Sequence, residues 1–341
     1  MTYILQNDSK KYLLKNLLGE GCTCKCYLGQ KMTSDSLQET SELFAIKIYT
    51  QNYYKYYLNE VNILSKLSPN DNIIKLYENG EGYILPIEKE NPNEIKDESK
   101  KSNEKIYYEI MEYASNGELK DYVQGRATRF PEKISAKIFA QIVSTVKYLH
   151  KNNIAHCDIK PENVLMNINY RPLLNDFGFS QIFDGANGDY IVHHFSGTPI
   201  YCAPETRKAY VKGFDAIKND IYSLGVLLFV ITIGEFPYEI ASFSDDKYRY
   251  IIKKNYNRFW EYFNDIEISD EFKDLINGLI CITPSQRFNI EQILEHPWLK
   301  KYIKEETDTM DKNDKDIQSG NKLGKDFIDD DVLNEFISRK V

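Results

Sequence analysis

The chain has 341 residues, 42% hydrophobic and 13% aromatic, enough for one large domain or two lobes with a sizeable core. Its formal net charge of -8 argues against a nucleic-acid surface, because binding backbone phosphates needs clustered lysine and arginine. No stretch approaches the roughly 20 apolar residues that span a bilayer, and Met1-Thr2-Tyr3-Ile4-Leu5-Gln6-Asn7-Asp8 shows neither a secretory leader nor a myristoylation glycine, so a cytoplasmic location is expected.

From Tyr12 to about Tyr113 short strand patterns predominate, with one helix. Within them Leu18-Gly19-Glu20-Gly21-Cys22-Thr23-Cys24-Lys25-Cys26 reads as a glycine-containing hairpin, and Ala45-Ile46-Lys47 as a strand. Glu60 precedes the helical apolar stripe Ile63, Leu64 and Leu67. Residues 88–105 hold eleven charged side chains in eighteen and almost no apolar ones, the composition of a surface insertion. A seam is expected between Glu112 and Gly117, and the chain beyond it reads as mostly helical. After Pro131, which suits a helix's first turn, Ile134, Ile138, Ile142, Val146 and Leu149 recur at spacings of four, four, four and three, predicting one buried helix face. Residues 221–233 are apolar nearly all round, as in a helix at the centre of a lobe. Residues 304–341 carry seven basic and eleven acidic side chains and read as a flexible tail. Within that tail, 329–339 has the pattern of a short amphipathic helix with Asp caps, suited to self-docking or to a partner.

The six cysteines follow no C-x2-C framework, which predicts reduced thiols. The run Cys22, Cys24, Cys26 reads as small side chains filling strand positions, with Cys24 and Cys26 on the same side, rather than as a metal or redox site. Asp311-Lys312-Asn313-Asp314-Lys315-Asp316 lacks the Gly and Glu of an EF-hand loop, so calcium binding is not expected.

Ala155-His156-Cys157-Asp158-Ile159-Lys160-Pro161-Glu162-Asn163 is followed thirteen residues later by Asp176-Phe177-Gly178, then by Gly197-Thr198-Pro199 and Ala203-Pro204-Glu205. In this order and spacing the strings resemble the catalytic core of the eukaryotic protein kinase family, Ser/Thr type. The resemblance covers about Tyr12 to Ile303. It implies an α+β, two-lobed protein kinase fold: a domain over 1–303, with a β-rich N-lobe over 1–113, a hinge over 112–117 and a helical C-lobe over 118–303.

The resemblance also implies chemistry: phosphoryl transfer from ATP to a Ser or Thr hydroxyl of a protein, with Mg2+ required. Asp158 would orient the hydroxyl, Lys160 would neutralise the transferring phosphoryl group, and Thr198 would hydrogen-bond both. Asn163 and Asp176 would hold the metal. Lys47 would hold the α- and β-phosphates, aimed by Glu60. Leu18, Gly19, Glu20, Gly21, Cys22, Cys26, Ala45, Met111, Glu112, Ala114, Glu118 and Leu165 complete the implied nucleotide set, with Met111 as gatekeeper and the backbone of Glu112 and Ala114 at the adenine edge. Glu205 would pair with Arg287, and Asp220 would brace the catalytic loop. Glu118 and Glu162 stand where basophilic relatives meet substrate arginine, which implies a preference for Arg three residues before the target.

Two departures bear on regulation. Cys157 replaces the Arg that usually precedes the catalytic Asp, so the chain resembles non-RD kinases, and His194 stands where many relatives carry a phosphorylatable Thr. Activity without activation-loop phosphorylation is the expectation. The domain's end, with His296-Pro297-Trp298, is most similar to the calmodulin-dependent kinase group, or to a divergent orphan. The alternative class is a pseudokinase that binds nucleotide or a partner without phosphoryl transfer, suggested by Cys24 in place of the third loop glycine and by Cys157.

Overall fold

The computed structural model describes residues 3–7, 10–32, 39–67, 69–86, 104–123, 125–183, 190–194 and 196–310, with backbone only at 39–40, 209 and 304–310. Most of the expected 88–105 insertion, and the helix expected over 329–339, lie outside them. The chain divides into two compact units, Met1–Ser115 and Asn116–Val341.

The first unit is built on β1 (Tyr3–Gln6), β2 (Lys11–Glu20), β3 (Lys25–Met32), β4 (Glu39–Tyr49), β5 (Leu76–Pro86) and β6 (Ile106–Glu112), with α1 (Tyr54–Lys66) between β4 and β5. The strands close into a barrel in the order β1-β2-β3-β4-β6-β5. The N-terminal strand makes the closure, pairing antiparallel with both β2 and β5. It lies ahead of Tyr12, where the strand pattern of the sequence begins. Strand alternation decides what goes where. Phe44, Ile46 and Ile48 of β4 and Ile106, Tyr108 and Ile110 of β6 join Leu5, Tyr12 and Leu14 in one core cluster. The intervening positions, Lys47 and Tyr49 on β4 and Tyr107 and Glu109 on β6, take the opposite face, where Tyr57 of α1 packs on Tyr49 and Tyr107. One strand therefore supplies core with its even residues and chemistry with its odd ones.

The second unit contains α2 (Glu132–Lys151), followed by the strand pairs that frame its loops: β7 (Ile154–Ala155), β8 (Val164–Met166), β9 (Pro172–Leu174), β10 (Gln181–Ile182) and β11 (Ile191–Val192). Then come α3 (Ala209–Lys212), β12 (Phe214–Asp215), α4 (Ala216–Ile233), α5 (Asp246–Ile252), α6 (Tyr256–Trp260), α7 (Asp270–Leu279), α8 (Ile290–Leu294) and α9 (Pro297–Met310). Pro131 is the N-cap of α2 rather than part of its first turn. α4 begins five residues before the apolar run does, capped by the Asp215 side chain, which accepts from the Lys218 N–H. By length and composition α4 could cross a membrane, but 83% of it is buried in this unit, as a core helix is. α9 continues to Met310, into the stretch whose composition suggested a tail.

Candidate functional site

In the first unit, cross-strand register brings the phosphate-binding candidates together. Cys26 on β3 and Glu109 on β6 both lie opposite Lys47 on β4. Lys47 Nζ donates to Glu60 Oε1 of α1 at 2.7 Å, with the glutamate fully buried and the lysine nearly so. The Tyr49 hydroxyl donates to Glu60 Oε2 at 2.8 Å and lies 3.4 Å from Glu109 Oε2. A buried carboxylate needs such donors, since desolvation without them would outweigh its attraction to the lysine. Tyr49 and Glu109 escaped the sequence reading. Only the register of β4 on β6 could have pointed to them.

The loop between β2 and β3 is closed by Gly21 N–H donating to the Cys24 carbonyl at 3.0 Å. Cys24 thus lies in the turn rather than on the strand expected for it, although it still packs on the Tyr49, Tyr57 and Tyr107 cluster. A Cβ at Gly19 would meet nothing within 4 Å. Packing therefore does not explain that glycine, whereas close approach of a phosphate to the backbone would. Leu18, Glu20 and Cys22 are exposed on this hairpin. Burial pushes the Cys26 thiol up to about 11, against the pull of the Lys47 charge. Ala45 pairs with Met111 and Phe44 with Glu112, and the Glu112 N–H donates to the Lys75 carbonyl at 2.9 Å. Ala114 is buried.

In the second unit the catalytic-loop residues converge on one carboxylate. Asp158 Oδ2 accepts from Lys160 Nζ at 2.8 Å and Asn163 Nδ2 at 2.9 Å, and Oδ1 accepts from the Thr198 N–H and hydroxyl, each at 2.8 Å. Lys160 Nζ also donates to Thr198 Oγ1 at 2.7 Å. Gly197, at φ 96°, is required here: a Cβ would lie 2.3 Å from the Cys157 carbonyl and 3.4 Å from Asp158 Oδ1. Asp176 adopts a left-handed backbone at φ 64°, and Phe177 beyond it is buried with its ring 5.0 Å from that of His156.

The loop backbone is braced from beneath. Asp220 of α4 accepts the N–H groups of His156 and Cys157, each at 2.8 Å, and a third bond joins it to His150 Nε2 at 2.9 Å. The sequence indicated Asp220 but not His150. Arg287 clasps Glu205 through two bonds of 2.8 and 3.1 Å while also donating to the carbonyls of Cys281 and Lys218.

Glu118 forms an isolated bridge with Leu165, and its N–H donates to Asp121 Oδ2 at 3.0 Å. Burial and the charges of Asp121 and Glu162 raise its carboxyl above the usual range, against Lys120 and Lys160. Glu162 pairs with Lys120 at 3.0 Å, a neighbour the sequence reading did not foresee. Among the described residues no cluster of three or more His, Cys, Asp or Glu could hold a metal ion through protein ligands alone. A magnesium held by Asn163 and Asp176 fits a different case, since that ion takes one or two carboxylates and relies on substrate phosphates and water for the rest.

Among known proteins, the protein kinase domain family matches residues 12–299, and the chain belongs to it. It is 31% identical over 294 residues to the CBL-interacting serine/threonine-protein kinase 12 of Arabidopsis thaliana, covering 86% of this chain and 53% of that protein. It is 30% identical over 297 residues to the CBL-interacting protein kinase 30 of Oryza sativa subsp. japonica, covering 85% and 54%. The chain thus spans about half the length of the curated relatives it matches.

Proposed function

We propose that this protein kinase domain transfers the γ-phosphoryl group of ATP to Ser or Thr hydroxyls of proteins. The observation that carries the reading is the Asp158 carboxylate, held by Lys160, Asn163 and Thr198 in one bonded set. In phosphoryl transfer the protein's task is positioning and charge stabilisation. Asp158 would orient the attacking hydroxyl and receive its proton, while Lys160 stabilises charge on the phosphoryl oxygens. Lys47, aimed by Glu60, would align the α- and β-phosphates beneath the Gly19 opening. Asn163 and Asp176 would hold Mg2+, which neutralises phosphate charge when bound. The test is a radiolabelled ATP assay on protein purified free of other kinases. Wild-type protein should label a generic basic substrate, and Asp176→Ala and Lys47→Met should each abolish labelling. A wild-type rate from Asp176→Ala would show the site assignment to be wrong.

Independence from activation-loop phosphorylation is supported by an apolar anchor. Cys157 is buried with Val192 and Phe214 in a cluster that includes Ala155 and Ala216, and Val192 and Phe214 are cross-strand partners in the β11–β12 pair. Burial, together with the Asp220 charge, raises the Cys157 thiol well above its usual range, so it packs as a neutral group. Hydrophobic contact here does what an arginine bound to a phosphorylated residue would otherwise do, and it needs no modification. The similarity of the domain's end to the calmodulin-dependent group stays part of the same reading.

For the peptide, Glu118 and Glu162 support a preference for Arg three residues before the target. Since Lys120 already neutralises Glu162, Glu118 should carry most of it. A charge-assisted pair of that kind is worth about 1.5–3 kcal/mol. Glu118→Ala should erase most of the difference between Arg and Ala peptides, and an acidic or proline-directed preference in an unbiased library would refute the assignment.

A further inference from the structure

Away from the catalytic loop, the second unit has a half-open cavity of about 280 Å³ between the end of α2 and the starts of α4 and α8. Four basic side chains line it. Lys147, His150 and Lys151 stand at i, i+3 and i+4 of the last turns of α2 and so share one face, and Lys218 comes from the first turn of α4. The rest of the wall is largely apolar, from Ile217, Ile221, Ile290 and the Tyr190 ring.

Among the described residues the lining holds one acid, Glu291, against Lys147, Lys151 and Lys218. Glu291 lies 3.7 Å from Lys147 and is 62% exposed, so the pair is loose and solvent-screened. Asp220 is engaged by His150 and by two backbone N–H groups, and Asp215 by the Lys218 N–H that it caps. Lys218 Nζ donates to the Arg287 carbonyl at 3.3 Å, and its charge also acts on Asp215. In a chain of net charge -8, a basic, isoleucine-walled cavity goes against the surrounding field.

We infer that this cavity is a binding site for a small anion with an apolar body, an aryl or alkyl phosphate monoester or carboxylate. Its acid group would meet Lys147, Lys151 and Lys218, and its hydrocarbon part the isoleucines and Tyr190. The site is wired to the catalytic loop by a short path. His150 bonds Asp220, and Asp220 holds the two backbone N–H groups immediately before Asp158. A ligand that shifts the position of His150 therefore shifts the support of Asp158. This coupling rests on the kinase reading above, whereas the binding does not.

The experiment uses the full chain with a saturating non-hydrolysable ATP analogue present, so that the nucleotide site is blocked. Phenyl phosphate, octanoate, inorganic phosphate and benzyl alcohol are titrated by calorimetry. Phenyl phosphate or octanoate should bind one per chain, more weakly as salt rises, and benzyl alcohol should not bind. The arms separate a phosphate from a carboxylate preference, and inorganic phosphate matching phenyl phosphate would refute the apolar subsite. The variant carrying both Lys147→Gln and Lys151→Gln, two solvent-accessible changes, should weaken binding about tenfold or more. No binding up to about 10 mM, displacement by the nucleotide analogue, or unchanged affinity in the double variant would overturn the site. In the phosphotransfer assay the bound ligand should change kcat at least about twofold in wild type and leave the double variant unaffected. An unchanged kcat at saturation would overturn the coupling. A chain that binds the ligand but shows no phosphotransfer under any condition would instead count against the kinase reading.

Discussion

The two units hold their candidate lysines in different ways. Lys160 and Asp158 are two residues apart, and their carboxylate is bonded by three residues of the same unit, with the lysine side chain 19% exposed. Lys47 and Glu60 are thirteen residues apart on a strand and a helix, and both are buried. The loop pair is assembled largely by local chain geometry, and its lysine is partly exposed although Asp158 is buried. The strand–helix pair exists only while α1 stays packed, and of α1 just Tyr57, Glu60 and Ile63 are buried. Removing one partner should therefore damage chemistry in the first case and folding as well as chemistry in the second.

The sharpest way to break the contrast is to neutralise each carboxylate. Asp158→Asn should lower kcat about 10²–10⁴-fold, the range for loss of a positioned acid–base group, with little change in the thermal midpoint because Thr198 and Lys160 stay near water. Glu60→Gln should lower kcat too, and should also destabilise the first unit by about 3–5 kcal/mol, since it leaves a buried ammonium without its counter-ion. Urea titration of both variants checks this, and equal stability loss in the two would refute the distinction.

A smaller effect is expected at Tyr49. Tyr49→Phe removes a bond to Glu60 while keeping the ring against Tyr57, so about 0.5–1.5 kcal/mol should be lost, with the ATP KM rising more than kcat falls. A change in kcat alone would mean that Tyr49 acts elsewhere.

The smallest effects concern the cysteines. With iodoacetamide at pH 8, the exposed Cys22 should be labelled first. Cys26, whose thiol is raised to about 11, stays protonated at that pH and should react slowly, as should the buried Cys157. Denaturation should equalise the rates. Phosphatase treatment of bacterially made protein should leave kcat within about twofold, and a fall of tenfold or more, about 1.4 kcal/mol in the barrier, with a mapped site between Asp176 and Glu205 would refute the apolar anchor.

Much of the second unit's site was legible because its residues lie close together in the chain. Asp158, Lys160 and Asn163 fall within six positions, and a loop that short can carry its own pattern of residue types. The first unit was less legible. Lys47 and Glu60 could be named, but the Tyr49 and Glu109 that share their buried face are set by a strand register that no local string encodes. The same holds for β1: four residues are too short to show a period, and they become a strand only because β2 and β5 offer two unpaired edges.

By itself, then, the sequence determined the order of the motifs and the identity of the charged groups, because residue type and short spacing encode helix faces, turns and catalytic loops, and its resemblance to a family implied the fold class. Tertiary structure alone decided which groups meet. The Tyr49–Glu60 bond, the third bond on Asp220 from His150, the Lys120–Glu162 pair and the burial of Cys157 against Val192 all join residues whose contact depends on packing. Even where only two positions separate the residues of a strand, the side that a side chain faces follows from its neighbours across the sheet and not from its own identity.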